Sequence, residues 1–332
     1  MRKAACNAMV AHRHRQEKPC HPDAMDVAAL WDSNPEERAA AACPVAWENI
    51  DPTKVRVLLA LAPKREMRAR DLDWPAFPRL EVVKLITAGA NHVGWSTLPA
   101  GVRVATTPGA TAPYIAEWIL GAILDWCRGY TRFTREIQWG EFRQDTETRA
   151  LAGLRICILG AGGIGQATAG LLESLGCVVS MVARHDPGRP WTPVEKLADA
   201  CRNSDVLIVA VPLRKETTGM VDANVLAAFA GRPALLVNVA RGPIVDERAL
   251  YGWLQEPQHG AALDVWWRNP TESGDKFPFT LPFQDLQNVI MTPHNSPNVE
   301  GYTLAMIRQA TQELQLYLQD GTLLHEEHAS DY

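Results

Sequence analysis

The sequence predicts a protein of the α/β class, in which parallel sheets are covered by helices on both faces. From Val55 onward, short β-branched runs alternate with helical patterns. The runs are almost continuously apolar, as strands buried on both faces of a parallel sheet are. At 332 residues, 47% of them hydrophobic, the chain is long enough for two domains with separate cores.

The predicted strands follow one another at short intervals along the chain. In order they are VRVLLAL, EVVKLITAG, VRVATTPG, LRICILGAG, CVVSMVAR, DVLIVAVP, ALLVNVA, GAALDVWW and NVIMTPH. The clearest helix begins after Thr111, a predicted N-cap, and carries Pro113 in its first turn. Residues Thr131 to Gly153 are polar, so we expect an irregular segment there, and a last helix is predicted over Gly301 to Asp320.

Two transitions divide the predicted elements into domains. One lies near Pro113, and the other lies near Ser296, before the last helix. We therefore expect a substrate domain over residues 1–112, completed by 297–332, and a dinucleotide-binding domain over residues 113–296.

Charge and cysteine content exclude several classes of partner. The formal net charge of −5, without a basic block, argues against nucleic acid or an anionic membrane and favours a small neutral or anionic ligand. Seven scattered cysteines without a C-x-x-C pair indicate neither a disulfide framework nor a zinc site, so a cytoplasmic location is expected. No apolar run approaches the roughly 18 residues of a membrane span.

The first sixteen residues are basic and faintly resemble a transit peptide, but a disordered head or a first strand is the preferred interpretation. The nearby His12, His14, Cys20 and His21 have a spacing that fits no common metal site. We therefore predict solvated surface there and no bound metal.

A glycine motif follows the predicted strand Leu154 to Gly160. The motif is Gly160-Ala-Gly162-Gly163-Ile164-Gly165, and a helix and a second strand come directly after it. In this context the glycines let the backbone approach a pyrophosphate, and the amides at the start of the helix face it. The motif predicts a dinucleotide site.

The end of the second strand, Ala183-Arg184-His185, bears on cofactor choice. A carboxylate there would hold the ribose 2′-hydroxyl of NAD, whereas a small residue followed by arginine suits the 2′-phosphate of NADP. NADP is therefore the preferred cofactor, and NAD stays possible. The alternative is that Arg184 is a solvated loop residue and Asp186 reaches the ribose.

Further motifs carry a family resemblance. The segments LLVNVARGPIVDERAL (Leu235 to Leu250), VIMTPHNSP (Val289 to Pro297), VPLRKETTG (Val211 to Gly219) and ALDVWW join the glycine motif in the order and spacing of the D-isomer-specific 2-hydroxyacid dehydrogenases. The chain resembles this family, including its glyoxylate/hydroxypyruvate reductases, over roughly residues 80–310. The resemblance implies two Rossmann-like, doubly wound domains with the active site in the cleft between them.

The resemblance also implies roles for individual residues. Arg241 would bind the carboxylate and carbonyl of a 2-keto acid, and His294 would be the general acid/base. The implied substrate loop contains Ala88 and Gly89, with Thr111 nearby. Asp264 would lie by the nicotinamide, and Trp266 and Trp267 are expected to pack. The full set of implied cofactor-binding residues is Gly160, Gly162, Gly163, Ile164, Gly165, Ala183, Arg184, His185, Val211, Pro212, Thr217, Val239, Ala240, Asp264 and Ser296.

Asn269 departs from the family pattern. Most members carry a glutamate there that hydrogen-bonds the catalytic histidine, whereas the related formate dehydrogenases carry a glutamine. Three hypotheses therefore stay open: a D-2-hydroxyacid dehydrogenase whose acid is weaker, a formate-type dehydrogenase, or an NAD(P)-sensing protein without catalysis. Glu272 could supply the carboxylate instead.

The first hypothesis is preferred, because Arg241 and His294 are intact and Thr111 replaces the asparagine expected of a formate enzyme. Asn269 is accordingly placed with Arg241 and His294 in the predicted catalytic set. By its usual assembly the family also implies a homodimer.

Overall fold

The computed structural model describes residues 27–30, 40, 51–60, 74–90, 93–138, 140–142, 144, 146–185, 188, 190–269 and 274–331. Predictions about the basic head, with His12, His14, Cys20 and His21, lie outside the described residues. So do those about Asp186 and Glu272.

The described strands fall in the predicted apolar runs, with three further strands. Their bounds are β1 (Val27–Leu30), β2 (Val57–Ala60), β3 (Val82–Leu85), β4 (Arg103–Ala105), β5 (Arg155–Leu159), β6 (Val178–Ala183), β7 (Trp191–Pro193), β8 (Val206–Val209), β9 (Ala234–Asn238), β10 (His259–Leu263), β11 (Val289–Met291) and β12 (Glu326–Glu327). The α-helices are α1 (Ala112–Arg128), α2 (Tyr130–Gln138), α3 (Gly163–Ser174), α4 (Leu197–Arg202), α5 (Ala223–Ala227), α6 (Glu247–Trp253) and α7 (Tyr302–Asp320).

The strands form two sheets. The larger sheet has the order β11-β10-β9-β8-β5-β6-β7, and its pairs are all parallel. Its strand order reverses between β5 and β8, which is where a doubly wound sheet binds ligands at the carboxyl ends of its strands. The smaller sheet has the order β1-β2-β3-β4-β12, and only the β4–β12 pair is antiparallel. The described parallel strands of the smaller sheet, β1 to β4, lie side by side in chain order. The reversal of strand order therefore occurs in the larger sheet.

Apolar side chains are buried on both faces of both sheets, which confirms the α/β class. In β5, Cys157 and Leu159 pack into one core cluster and Ile156 and Ile158 into another. In β2, Leu58 and Ala60 face one cluster, whereas Val57 and Leu59 face another that contains Ile307, Ala310 and Leu314 of α7. This alternation of buried faces explains why the predicted runs are almost continuously apolar.

Helix α1 begins as predicted, but Thr111 makes no side-chain capping bond. Its buried face contains Ile115, Ile119 and Ile123, and α3 packs beside it. Trp118 and Trp126 are only partly buried against the same core.

The prediction of an irregular segment over Thr131 to Gly153 was wrong at its start, because α2 occupies Tyr130–Gln138. Gly129 turns the chain in the left-handed conformation, and the Asp125 carboxylate accepts a bond from Thr131 N at 2.7 Å. No residue of α2 is buried. Its apolar residues Tyr130, Phe133 and Ile137 do recur at helical spacing, but they are few among polar neighbours, and sequence reasoning overlooked them.

Candidate active site

The glycine motif turns the chain from β5 into α3 at the reversal point of the larger sheet. Gly160 has φ 113°, and its amide donates to the Val182 carbonyl at 2.8 Å. A Cβ on Gly160 would come within 2.5 Å of the Ala210 carbonyl, and one on Gly165 would overlap the Gly160 carbonyl. Only glycine permits this turn.

The start of α3 is open to solvent where a phosphate would sit. Gly162 is the N-cap residue; it is exposed, and nothing lies within 4 Å of where its Cβ would be. The first amides of the helix, which have no partner within it, and the positive end of the helix dipole therefore face a space that a pyrophosphate could occupy. Gly163 lies against Gly109, which brings the loop containing Thr111 beside the motif. Ile164 is partly buried against the core.

The segments beside this turn hold the other predicted cofactor residues. Ala183 ends β6 and is half-buried, and Arg184 and His185 follow it in exposed positions. After β8, the Thr217 hydroxyl donates to the Pro212 carbonyl at 2.7 Å and accepts from Arg214 N at 2.8 Å. The Thr217 side chain thus stabilises the conformation of its own loop. At the strand end, Val211 is partly buried and Pro212 is exposed.

Arg241 lies in the turn that follows β9. Its Nη1 donates to the Ala240 carbonyl at 2.7 Å, and its side chain is half-buried. Buried Val239 and Ala240 separate it from the strand. Gly242 must be glycine, because a Cβ there would overlap the backbone of Trp266 and Trp267. The turns after β9 and β10 are therefore in direct backbone contact.

Asp264 immediately follows β10 and is fully buried. Its Oδ1 accepts from Thr292 Oγ1 at 2.5 Å and from Asn295 N at 2.9 Å, and its Oδ2 accepts from Ser296 N at 3.0 Å. These donors flank His294, which is exposed and has φ 57°. Asp264 thus stabilises the conformation of the loop that contains His294, the predicted acid/base. Its contact with a nicotinamide stays a prediction.

The tryptophans after Asp264 pack, as expected. Trp266 Nε1 donates to the Thr292 carbonyl at 2.9 Å, and Trp267 Nε1 donates to the Val245 carbonyl at 2.8 Å. The Trp267 ring stacks on Phe283 at 5.3 Å between centroids. Asn269 follows them in an exposed position, and its pairing with His294 stays a prediction.

The predicted substrate loop follows β3 in the smaller sheet. Ala88 is exposed, and the Gly89 carbonyl accepts from Thr87 Oγ1 at 3.2 Å. Thr107 N donates to the Thr87 carbonyl at 2.8 Å, which ties this loop to the segment that leads to Thr111.

Sequence reasoning missed two residues of this region. Asn238 is a buried amide whose Nδ2 donates to the Arg241 carbonyl, and Thr292 is the hydroxyl donor to Asp264. Asn238 could have been found from the sequence, because it is a polar residue within the apolar run LLVNVA. Asp264 was found in the same way within ALDVWW.

Within the described part of the chain, no group of His, Cys, Asp and Glu is arranged to hold a metal ion. Among those residues there is also no helix long and apolar enough to cross a membrane.

The chain is similar to known proteins in both sequence and fold. Residues 120–296 match the family model described as D-isomer specific 2-hydroxyacid dehydrogenase, NAD binding domain. A hydroxyphenylpyruvate reductase of Plectranthus scutellarioides is 34% identical over 227 residues, covering 66% of this chain and 69% of that protein. A glyoxylate/hydroxypyruvate reductase of Arabidopsis thaliana is 32% identical over 225 residues, covering 65% and 68%.

Among solved structures, a D-isomer specific 2-hydroxyacid dehydrogenase from Xanthobacter autotrophicus Py2, in complex with NADPH and MES, superposes with a TM-score of 0.73. It is 24% identical and the match covers 91% of this chain and 98% of that one, so this likeness bears on the fold. The family match spans more than half of the chain and includes the glycine turn, Arg241, Asp264 and His294. This chain belongs to the D-isomer specific 2-hydroxyacid dehydrogenases, a family of oxidoreductases with a Rossmann-type NAD-binding domain.

Proposed function

We propose that this chain is an NADP-preferring reductase of small 2-keto acids, such as glyoxylate or hydroxypyruvate, and that it forms their D-2-hydroxy acids. The observation that carries the proposal is that the carboxyl ends of three strands lie side by side at one edge of the larger sheet. Strands β9, β10 and β11 are adjacent and parallel, so the Arg241 turn, Asp264 and the His294 loop share one edge of the larger sheet with the glycine turn.

The residues present fit a dinucleotide. The exposed amides at Gly162 and Gly163 would bind the pyrophosphate, and exposed Arg184 would pair with a 2′-phosphate. When bound, the nicotinamide supplies the hydride. We also propose that residues 113–296 form the dinucleotide-binding domain and that residues 1–112 and 297–332 form the substrate domain.

The chain itself would provide anchoring and the proton. Arg241 has a planar fork of donors that binds the substrate carboxylate and stabilises the charge developing on the carbonyl oxygen. His294 donates a proton to that oxygen, and the backbone amides near Ala88 and Gly89 also hold the substrate carboxylate. Proton and hydride together convert the keto group into a hydroxyl group.

The test of the proposal is oxidation of NADPH and NADH with a panel of 2-keto acids, in wild type and in Arg241→Lys. Lysine keeps the charge but loses the fork, so kcat/KM should fall about a hundredfold or more while NADPH affinity is nearly unchanged. Arg248→Lys, at an exposed position of α6, is the matched control. Unaltered keto-acid kinetics in Arg241→Lys would remove Arg241 from the site.

Asn269 favours the formate-type dehydrogenase as a second candidate. It predicts reduction of NADP⁺ by formate, so formate with NADP⁺ is the reverse arm of the assay. Turnover with neither formate nor any keto acid would favour an NAD(P)-sensing protein.

We also propose a homodimer. Tyr130 and Ile137 of α2, and Phe142 just beyond it, are large apolar side chains that are 58%, 59% and 75% exposed. Such side chains are typical of a surface covered in an oligomer. Light scattering on the purified protein gives its mass, and a monomer would exclude the dimer.

A further inference from the structure

The turn that carries Arg241 is held by one buried amide side chain. Asn238 is the last residue of β9 and is 1% exposed. Its Oδ1 accepts from Ala240 N at 3.1 Å, and its Nδ2 donates to the Arg241 carbonyl at 3.0 Å. An amide can accept and donate at once, which neither a carboxylate nor an aliphatic side chain can do.

The loop that carries His294 is held by one buried carboxylate. Asp264 takes three donors from it, Thr292 Oγ1, Asn295 N and Ser296 N, which lie on both sides of the histidine. A buried carboxylate is costly unless such donors satisfy it, so this arrangement stabilises one loop conformation. His294 has φ 57°, an uncommon conformation for a non-glycine residue, and the bonds on both sides of it stabilise this conformation.

The two supports are joined through the backbone. Asp264 N donates to the Asn238 carbonyl at 3.1 Å, and Thr292 N donates to the Leu263 carbonyl at 3.0 Å. A continuous series of hydrogen bonds therefore runs from the Arg241 carbonyl through Asn238 and Asp264 to the backbone on either side of His294.

We propose that Asn238 and Asp264 are the positioning residues of this site. Asp264 acts through Thr292. They fix the substrate-binding turn and the acid/base loop relative to each other before substrate arrives. The inference rests on the proposed roles of Arg241 and His294. Fixing both groups in advance matters because a displacement of about 1 Å at a reacting group can cost about a hundredfold in rate.

The two supports act on different steps, so their variants should differ in kinetics. Thr292→Val keeps the shape of the side chain but deletes the bond to Asp264, and it should lower kcat for keto-acid reduction about tenfold to a hundredfold. The KM values should stay near those of wild type. Thr292→Ser keeps the hydroxyl and should restore kcat.

Asn238→Asp should act mainly on substrate binding. The new carboxylate still accepts from Ala240 N but opposes the Arg241 carbonyl instead of donating to it. The KM for the keto acid should rise about tenfold, the equivalent of roughly 1.4 kcal/mol, while the dissociation constant of NADPH stays the same.

Amide hydrogen exchange gives a readout that does not depend on turnover. In Asp264→Asn, one of the two acceptor atoms is replaced by a donor, so at least one of the amides of Asn295 and Ser296 should exchange faster than in wild type. Exchange in β5 should be unchanged.

One experiment compares wild type, Thr292→Val, Thr292→Ser, Asn238→Asp, Asp264→Asn and His294→Gln by kinetics, hydrogen exchange and thermal unfolding. Loss of activity in Thr292→Val with rescue in Thr292→Ser, together with the KM effect in Asn238→Asp, supports the proposal. Wild-type kinetics in Thr292→Val, or parallel falls in kcat, NADPH affinity and melting temperature, overturn it. Wild-type turnover in His294→Gln would instead refute the proposed function, and unchanged exchange in Asp264→Asn would refute the positioning role by itself.

Discussion

Asp264 and Lys84 are both completely shielded from solvent, but they are held in different ways. Asp264, at the edge of the larger sheet, accepts bonds from one short loop beside the candidate active site. Lys84, inside the smaller sheet, donates to Glu313 of α7 and to the Thr106 carbonyl, both at 2.5 Å. Burial lowers the pKa of Lys84, and the hydrogen bond and charge of Glu313 oppose this effect.

The difference teaches that burial of a charge does not mark a functional residue by itself. Location at the carboxyl edge of parallel strands is the better indicator, since ligands bind at that edge of such sheets. The comparison predicts that substitutions within or beneath the smaller sheet change stability, whereas those at the edge of the larger sheet change catalysis or cofactor choice.

The largest expected effect is on stability, at Lys84. Lys84→Met leaves the Glu313 carboxylate buried without its cation, which should lower the free energy of unfolding by about 3 to 5 kcal/mol. Urea denaturation measures this change, and kcat/KM per folded molecule should be unaltered. The double variant Lys84→Met/Glu313→Leu should recover most of the loss, because a matched apolar pair needs no cation. A Lys84→Met protein as stable as wild type would contradict the comparison.

The next effect concerns the edge of the larger sheet, at Arg184. Arg184→Ala should lower the ratio of kcat/KM for NADPH over NADH by about tenfold to a hundredfold, since a charge-assisted contact contributes roughly 1.5 to 3 kcal/mol. Stability should not change, because Arg184 is exposed. Arg202→Ala is the control, since Arg202 is also exposed but precedes β8 at the opposite edge. A wild type that uses NADPH and NADH equally well would refute the proposed preference.

A smaller effect is expected at Asn269, also past the carboxyl end of a strand. A carboxylate beside a histidine favours its charged form, whereas an amide supplies no charge. Asn269→Glu should therefore extend keto-acid reduction toward alkaline pH, by about tenfold in kcat/KM where the wild type declines. The measurement is a pH profile that includes Glu272→Gln. A shift to lower pH in Glu272→Gln alone would place the carboxylate at position 272, and no shift in either variant would separate Asn269 from His294.

The smallest effect is expected at Glu81, just before β3. The bidentate bond from Arg56 lowers the pKa of Glu81, against the effect of burial, and Tyr317 OH also donates to it. The folded-state pKa is thus below the unfolded value, so the stabilisation is present at neutral pH and is lost on acidification. Because this pair is partly exposed, Glu81→Gln should cost less than about 1 kcal/mol at pH 7. A loss of activity in this variant would break the comparison.

Sequence reasoning succeeded where one local pattern determines the structure. Continuous apolar runs predicted the strands from β2 to β11 except β7, and the strand–glycine–helix context predicted the turn at Gly160. It failed where the structure depends on distant partners. Strand β12 consists of two glutamates, a poor strand former, and it pairs with β4 where Arg103 binds Glu326 at 2.6 Å. The side-chain bonds of Asn238 lie within its own turn, so its polar position in LLVNVA was a usable local signal. The contact of Thr292 with Asp264 could not be predicted, because it joins two strand ends that are 28 residues apart in the chain.

The pairing of β4 with β12 bears on the order in which the protein folds during synthesis. Strands β5 to β11 of the larger sheet come from one continuous stretch of chain, so that sheet can assemble as soon as this stretch leaves the ribosome. The smaller sheet is completed later, because Lys84 meets Glu313 across 229 residues and β4 gains its outer neighbour only from residues 326–327. Until then β4 lacks its outer neighbour and Lys84 lacks the Glu313 carboxylate, so we expect the smaller sheet to be the more aggregation-prone part of the nascent chain.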